Sequence, residues 1–181
     1  MTLENGILGF LSMKPLSGYD IKKLFDMAAG YFWPADQTQI YRTLKRLIRE
    51  EMIVLKEKKK GGAADSIVYE ITEKGRDVNL AQLKENSVED FISRDAFLMQ
   101  LFFSGALSGE ELDRFLDTQL RNIGELEQRL IANYDANYGR FLTATGLSED
   151  DSRVRSAVWA HQWGLIKCRE YGKLLRQIKK N

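Results

Sequence analysis

The chain has 181 residues, 44% of them hydrophobic and 29% charged, with a formal net charge of +1, enough for one ordinary domain or two small ones sharing a core. No apolar run approaches the roughly 20 residues of a membrane span, and the opening MTLENGILGFLSMKP carries an acid and lacks the features of a signal peptide; a cytoplasmic protein with no membrane partner is expected. One cysteine and one histidine exclude an internal disulfide and cannot complete a structural zinc site, so neither metal nor cofactor is expected.

A first helix is expected over residues 2–13, with Ile7, Leu8, Phe10 and Leu11 apolar, ended by Lys14-Pro15-Leu16. Ser17 begins a second helix, and Ser17-Gly18-Tyr19-Asp20 resembles a capping box with Asp in place of Glu. Ile21, Leu24 and Phe25 give that helix its buried stripe. The turn Gly30-Tyr31-Phe32-Trp33-Pro34-Ala35-Asp36 follows, its aromatics read as packing residues and Asp36 as the next N-cap.

The third helix, QTQIYRTLKRLIR, separates its faces. Advancing about 100° per residue from Ile40 places Leu44, Leu47 and Ile48 within roughly 80° of it. Arg42, Lys45, Arg46 and Arg49 fall between roughly 140° and 240°, on the opposite side. A solvated helix face is the bland reading, and the next segment changes the balance. There the period becomes two: Ile53-Val54-Leu55-Lys56-Glu57 and Ile67-Val68-Tyr69-Glu70-Ile71 read as strands around a polar turn, Lys58-Lys59-Lys60-Gly61-Gly62. Between residues 40 and 60, eight Lys/Arg meet three acids, a surplus of five in a chain of net charge +1. Helix, helix, turn, basic helix and basic-tipped hairpin is the order of a winged helix-turn-helix, whose helix enters the major groove while the hairpin rides the flanking backbone.

After Thr72 no strand signal returns. Thr72-Glu73-Lys74-Gly75 starts a helix reaching about Lys84, and Glu85-Asn86-Ser87 reads as a joint. Residues 96–103, AFLMQLFF, form a strongly apolar helix. Ser108-Gly109-Glu110-Glu111 caps a long helix with Leu112, Leu116, Gln119, Ile123, Leu126 and Leu130 at 4-3-4-3-4 spacing. The last helix, about 149–179, puts Val154, Val158, His161, Leu165, Cys168, Gly172 and Leu175 on a similar seam. Such spacing suits another helix, and each helix is expected to be roughly 40 Å long. A second copy is the natural partner; folding back into an intramolecular pair is the other solution. The fold class expected is mainly α with a small two-stranded β wing: a winged helix-turn-helix over residues 1–85 and a helical dimerisation domain over 86–181.

Gly6-Ile7-Leu8-Gly9-Phe10-Leu11, Pro15-Leu16-Ser17-Gly18-Tyr19-Asp20, Phe32-Trp33, Gln39-Ile40-Tyr41, Leu44-Lys45-Arg46-Leu47 and Tyr69-Glu70-Ile71-Thr72-Glu73-Lys74-Gly75 together resemble the PadR family of bacterial transcriptional regulators. The C-terminal half, with Phe97-Leu98 and Phe102-Phe103-Ser104-Gly105, resembles less specifically the dimerisation domain of its longer members, which include phenolic-acid-responsive repressors. Two positions depart from the family pattern. Arg42 stands where Pro usually follows the QIY motif, and Met52 stands where Gly usually precedes the first wing strand. The resemblance implies a homodimer that binds an imperfect palindrome in promoter DNA, usually to repress, and is released when an effector shifts the spacing of the two recognition helices.

The DNA-binding candidates are Thr38, Gln39, Tyr41, Arg42, Lys45, Arg46 and Arg49 on the recognition helix (37–50). Ser17 and Tyr19 stand beside it, and Lys58, Lys59 and Lys60 lie on the wing (53–71). Gln39 and Arg42 suit base edges; Lys45, Arg46 and Arg49 equally suit phosphates. Trp159, His161 and Trp163 are candidate effector residues for a flat aromatic molecule, or interface plugs. Val154, Val158, Leu165, Cys168 and Leu175 are candidate dimer-seam residues. His161 and Cys168 lack a third group and a cleft, and no acid, base or metal set converges elsewhere, so the chain is not read as an enzyme. The alternative to DNA binding is a winged-helix assembly module meeting an acidic protein.

Overall fold

The computed structural model describes residues 2–59, 66–85 and 95–180. In chain order they form α1 (Leu3–Met13), β1 (Leu16–Ser17), α2 (Gly18–Leu24), a π-helix (Phe25–Ala29), α3 (Gln37–Arg49), β2 (Ile53–Lys59), β3 (Ser66–Ile71), α4 (Glu73–Lys84), α5 (Ala96–Phe103), a 3₁₀ turn (Ser104–Ala106), α6 (Gly109–Thr145) and α7 (Ser152–Ile178). The expected joint at Glu85-Asn86-Ser87 runs into residues outside those described. Among the described residues no helix is long and apolar enough to cross a membrane.

The helix starts follow the sequence. Ser17, Asp36, Thr72 and Ser108 each accept a backbone N–H of the first turn, each such cap contributing about 1 kcal/mol. The sheet has three antiparallel strands in the order β1-β3-β2 rather than the two expected, because Leu16 and Ser17 pair with Tyr69 and Val68. A two-residue strand carries no periodicity to read. β2 and β3 pair Ile53 with Ile71 and Leu55 with Tyr69, and a bulge follows before Glu57 meets Val68.

The turn after α3 explains the family departure at Met52. Met52 N–H reaches the Leu47 carbonyl and Glu51 N–H that of Ile48, the paired bonds of a Schellman ending. In that motif the left-handed residue is the one after the cap, here Glu51 at φ 57°, and Met52 is the apolar residue that closes over the core. The strain therefore falls on Glu51. Glu51→Gly is expected to stabilise the fold by about 1 kcal/mol, by removing the Cβ penalty of the left-handed region. A rise in the urea midpoint at constant slope checks it.

One core joins the two halves. Ile7, Leu8, Leu11, Ile21, Leu24, Ile40, Leu44, Leu47 and Ile53 form its centre, and Phe141 of α6 and Val154 of α7 belong to the same cluster. The winged unit thus sits on the end of the α6–α7 hairpin, with the π-helix against α6. α6 spans 37 residues, or about 55 Å, well beyond the expected 40 Å, since residues 131–145 stay helical and pack Tyr138, Phe141 and Leu142 against the core of the winged unit. The seam of α7 closes by fold-back: Val154, Cys168 and Leu175 are buried within this chain and Leu165 is half-buried. They are not left open for a second copy. Cys168 is accordingly inert, its thiol pushed up by burial and by the nearby Glu127.

Candidate nucleic-acid interface

α3 is built as a wedge. Ile40, Leu44 and Leu47 are wholly buried, each contributing roughly 1.5–3 kcal/mol by burial, and this fixes the direction of the opposite face. Gln37, Thr38, Tyr41, Arg42 and Lys45 line one open groove along that face. Gln37 was not among the sequence candidates; it lies outside the basic pattern, and only its place on the first turn brings it to the groove.

The cations divide into held and free. Arg46 pairs with Glu4 of α1, and Lys56 pairs with Glu70 across the hairpin at 2.9 Å. Arg42, Lys45 and Arg49 are exposed and have no ion-pair partner among the described residues. Lys58 and Lys59 fall on the end of β2, and Lys60 lies outside the described residues.

Three polar candidates are engaged differently from the sequence expectation. Ser17 is buried, and its hydroxyl donates to Asp20 Oδ2 at 2.7 Å while accepting the Asp20 N–H. It is a cap, closed off from a phosphate. Gln39 Oε1 accepts the Asp36 N–H at 3.2 Å in a capping box, so the bidentate adenine contact expected of it would have to break the cap. Tyr41 lies across the N-terminus of α2: a Cβ on Gly18 would come within 2.7 Å of its ring. Gly18 is what lets α3 approach α2 so closely. Tyr19, beside it, is 64% exposed.

Behind the winged unit, a cavity of about 370 Å³ lies between the π-helix segment and the α6–α7 hairpin, lined by Met27, Tyr31, Tyr134, Tyr138, Phe141 and His161 among others. His161 stacks on Tyr134 with centroids 4.5 Å apart and planes 23° from parallel. Burial lowers its pKa against the opposing pull of Asp135, so the ring is neutral at neutral pH. Trp159 and Trp163 do not join it. Both are 63% exposed on the outside of α7, because one helix cannot turn residues 159, 161 and 163 to the same side. Val158, expected on a dimer seam, lines this cavity instead.

Residues 7–81 match the transcriptional regulator PadR-like family. The winged unit is therefore a PadR-like domain. The negative transcriptional regulator PadR of Bacillus subtilis is 27% identical over 143 residues, 78% of this chain and 76% of that protein. The crystal structure of Bacillus subtilis PadR in complex with operator DNA superposes with a TM-score of 0.81 at 25% identity, covering 97% of this chain and 96% of that one. The same protein in complex with p-coumaric acid gives a TM-score of 0.77 at 25% identity, covering 97% and 95%. PadR-like relatives of this kind are regulators of transcription and not enzymes, and the winged helix with a long helical C-terminal region is their shared architecture.

Proposed function

We propose that the chain acts in the cytoplasm as a homodimeric, ligand-responsive repressor of a palindromic operator, with α3 in the major groove and the wing on the flanking backbone. The observation that carries this reading is the set Arg42, Lys45 and Arg49, without an ion-pair partner among the described residues, on the open face of a helix whose other face is locked in the core. Arg42 takes a guanine edge; Lys45 and Arg49 take phosphates. Thr38 and Tyr19 contact the backbone beside them, and Lys58, Lys59 and Lys60 add wing attraction. The operator complex of the Bacillus relative supports the assignment. The test is binding to a duplex of the protein's own upstream region over a salt series. Lys45 and Arg49 on each of two protomers predict a log–log slope of about −3.6, made steeper by each wing lysine that reaches a phosphate. A flat response without sequence preference would turn the reading to an assembly module.

Dimerisation falls to α5 rather than to the α7 seam. α5 has no buried residue, and Leu98, Met99, Phe102 and Phe103 are all open. An apolar helix left this bare calls for a partner surface, and a second copy supplies it in an isologous contact.

The cavity holds the effector in this reading, an aromatic molecule stacking against Tyr134, Tyr138 and His161. The relative's complex with p-coumaric acid supports that class. Titrating p-coumaric acid and related aromatic acids into the protein–DNA complex is expected to release DNA, and His161→Ala to weaken the response about ten-fold by removing one stacking face. Unchanged release by the variant would exclude the cavity.

A further inference from the structure

Tyr31 stands where the winged unit, the cavity and α7 meet. It follows the π-helix and precedes α3 by a short turn, residues 32–36, which is tied by Phe32 N–H and Trp33 N–H to the Ala29 carbonyl and by the Asp36 cap. Its hydroxyl donates to the Ala160 carbonyl of α7 at 2.7 Å. Its ring lies on Gly164, where a Cβ would come within 2.5 Å of the phenol oxygen and 2.6 Å of Cζ. Glycine in a helix interior is unfavourable relative to alanine; here it makes a socket that no other residue leaves open. The phenol also lines the cavity. Burial raises its pKa, with Cys168 adding to the rise, so it remains a proton donor near neutral pH.

The neighbours of this contact at the junction, Met27, Phe141 and Val154, contribute apolar surface. Apolar contact is non-directional and tolerates sliding. A hydrogen bond and a close-fitting ring do not. We propose that Tyr31, seated in the Gly164 socket, is the positioning residue that sets the angle of the recognition helix against the α6–α7 hairpin and so the spacing of the two reading heads. The proposal rests on the two-half-site reading above. It makes Tyr31 act through α3, and it puts the same side chain where an occupant of the cavity pushes on it.

The experiment compares wild type, Tyr31→Phe and Gly164→Ala on three DNAs. These are the footprinted upstream duplex, a shortened duplex with one half-site, and the full duplex with a single base pair inserted between the halves. Tyr31→Phe removes one oxygen and keeps the ring, so the fold is preserved even if Gly164→Ala disturbs it; thermal unfolding of both variants checks this. One-half binding is expected to stay within about two-fold of wild type, while full-duplex affinity falls about ten-fold. The penalty for the inserted base pair is expected to shrink, because a loosened head follows the displaced half-site. Equal weakening on the half and full duplexes would assign Tyr31 to the head itself and overturn the proposal, as would full-duplex affinity that does not change. Wild type holding one and two half-sites equally well would defeat the two-half-site reading, and the positioning role with it.

Discussion

Arg42→Glu combined with Lys45→Glu is expected to lower affinity for the upstream duplex at least about 1,000-fold, since each lost base or phosphate contact costs roughly 1–3 kcal/mol and a dimer loses each twice. The fold is expected to be untouched. Both side chains are exposed and neither has an ion-pair partner among the described residues, so reversal breaks no ion pair among them, and surface changes of this kind stay within about 0.5 kcal/mol. Fluorescence anisotropy at fixed salt measures the first quantity and thermal unfolding the second. Arg46 is the instructive contrast. It already pairs with Glu4, so Arg46→Glu would set two carboxylates together and weaken the seating of α1 on α3. A loss of binding there would not separate recognition from folding. Should the double variant hold the duplex as wild type does, the groove along α3 is not the DNA interface.

The recognition helix was legible because two independent signals coincide in it: a 3.6-residue apolar period and an N-cap at Asp36, both present in the structure. The capping boxes at Ser17 and Ser108 were legible for the same local reason. What the sequence could not carry were facts that depend on a distant partner. Ser17 reads as a cap and also as a phosphate contact until β3 pairs beside it and closes it off. Gln39 reads as a base-reading amide until its return to the Asp36 N–H is seen. The 4-3 spacing of α7 announces a helical neighbour without naming which; α6 of the same chain takes the place. Trp159, His161 and Trp163 looked like one constellation because they are near in sequence. Helical geometry sends only His161 inward, and the aromatic neighbours that make its site, Tyr134 and Tyr138, come from another helix.

Phe102→Asp with Phe103→Asp is expected to convert the protein to a monomer and to abolish the advantage of a full operator over a half-site. In the isolated chain these rings are 79% and 64% exposed, meeting edge to face at 5.0 Å, so their replacement removes little that this chain buries. What it removes is interface. Burying a phenylalanine contributes roughly 1.5–3 kcal/mol, and in an isologous contact two positions mean four rings, a total of roughly 6–12 kcal/mol. At about 1.4 kcal/mol per decade, that moves a nanomolar dimer constant to roughly tens of micromolar or weaker. α5 itself should persist, because Asp95 still caps it through the Leu98 N–H and still accepts the Tyr171 hydroxyl at 2.5 Å. Sedimentation velocity at micromolar protein reads the assembly and circular dichroism reads the helices. The monomer would keep its half-site affinity, since α3 is far from α5 in the chain and shares no core residue with it. A variant that sediments as a dimer would show that the second copy docks elsewhere, leaving the bare face of α5 without its assigned partner.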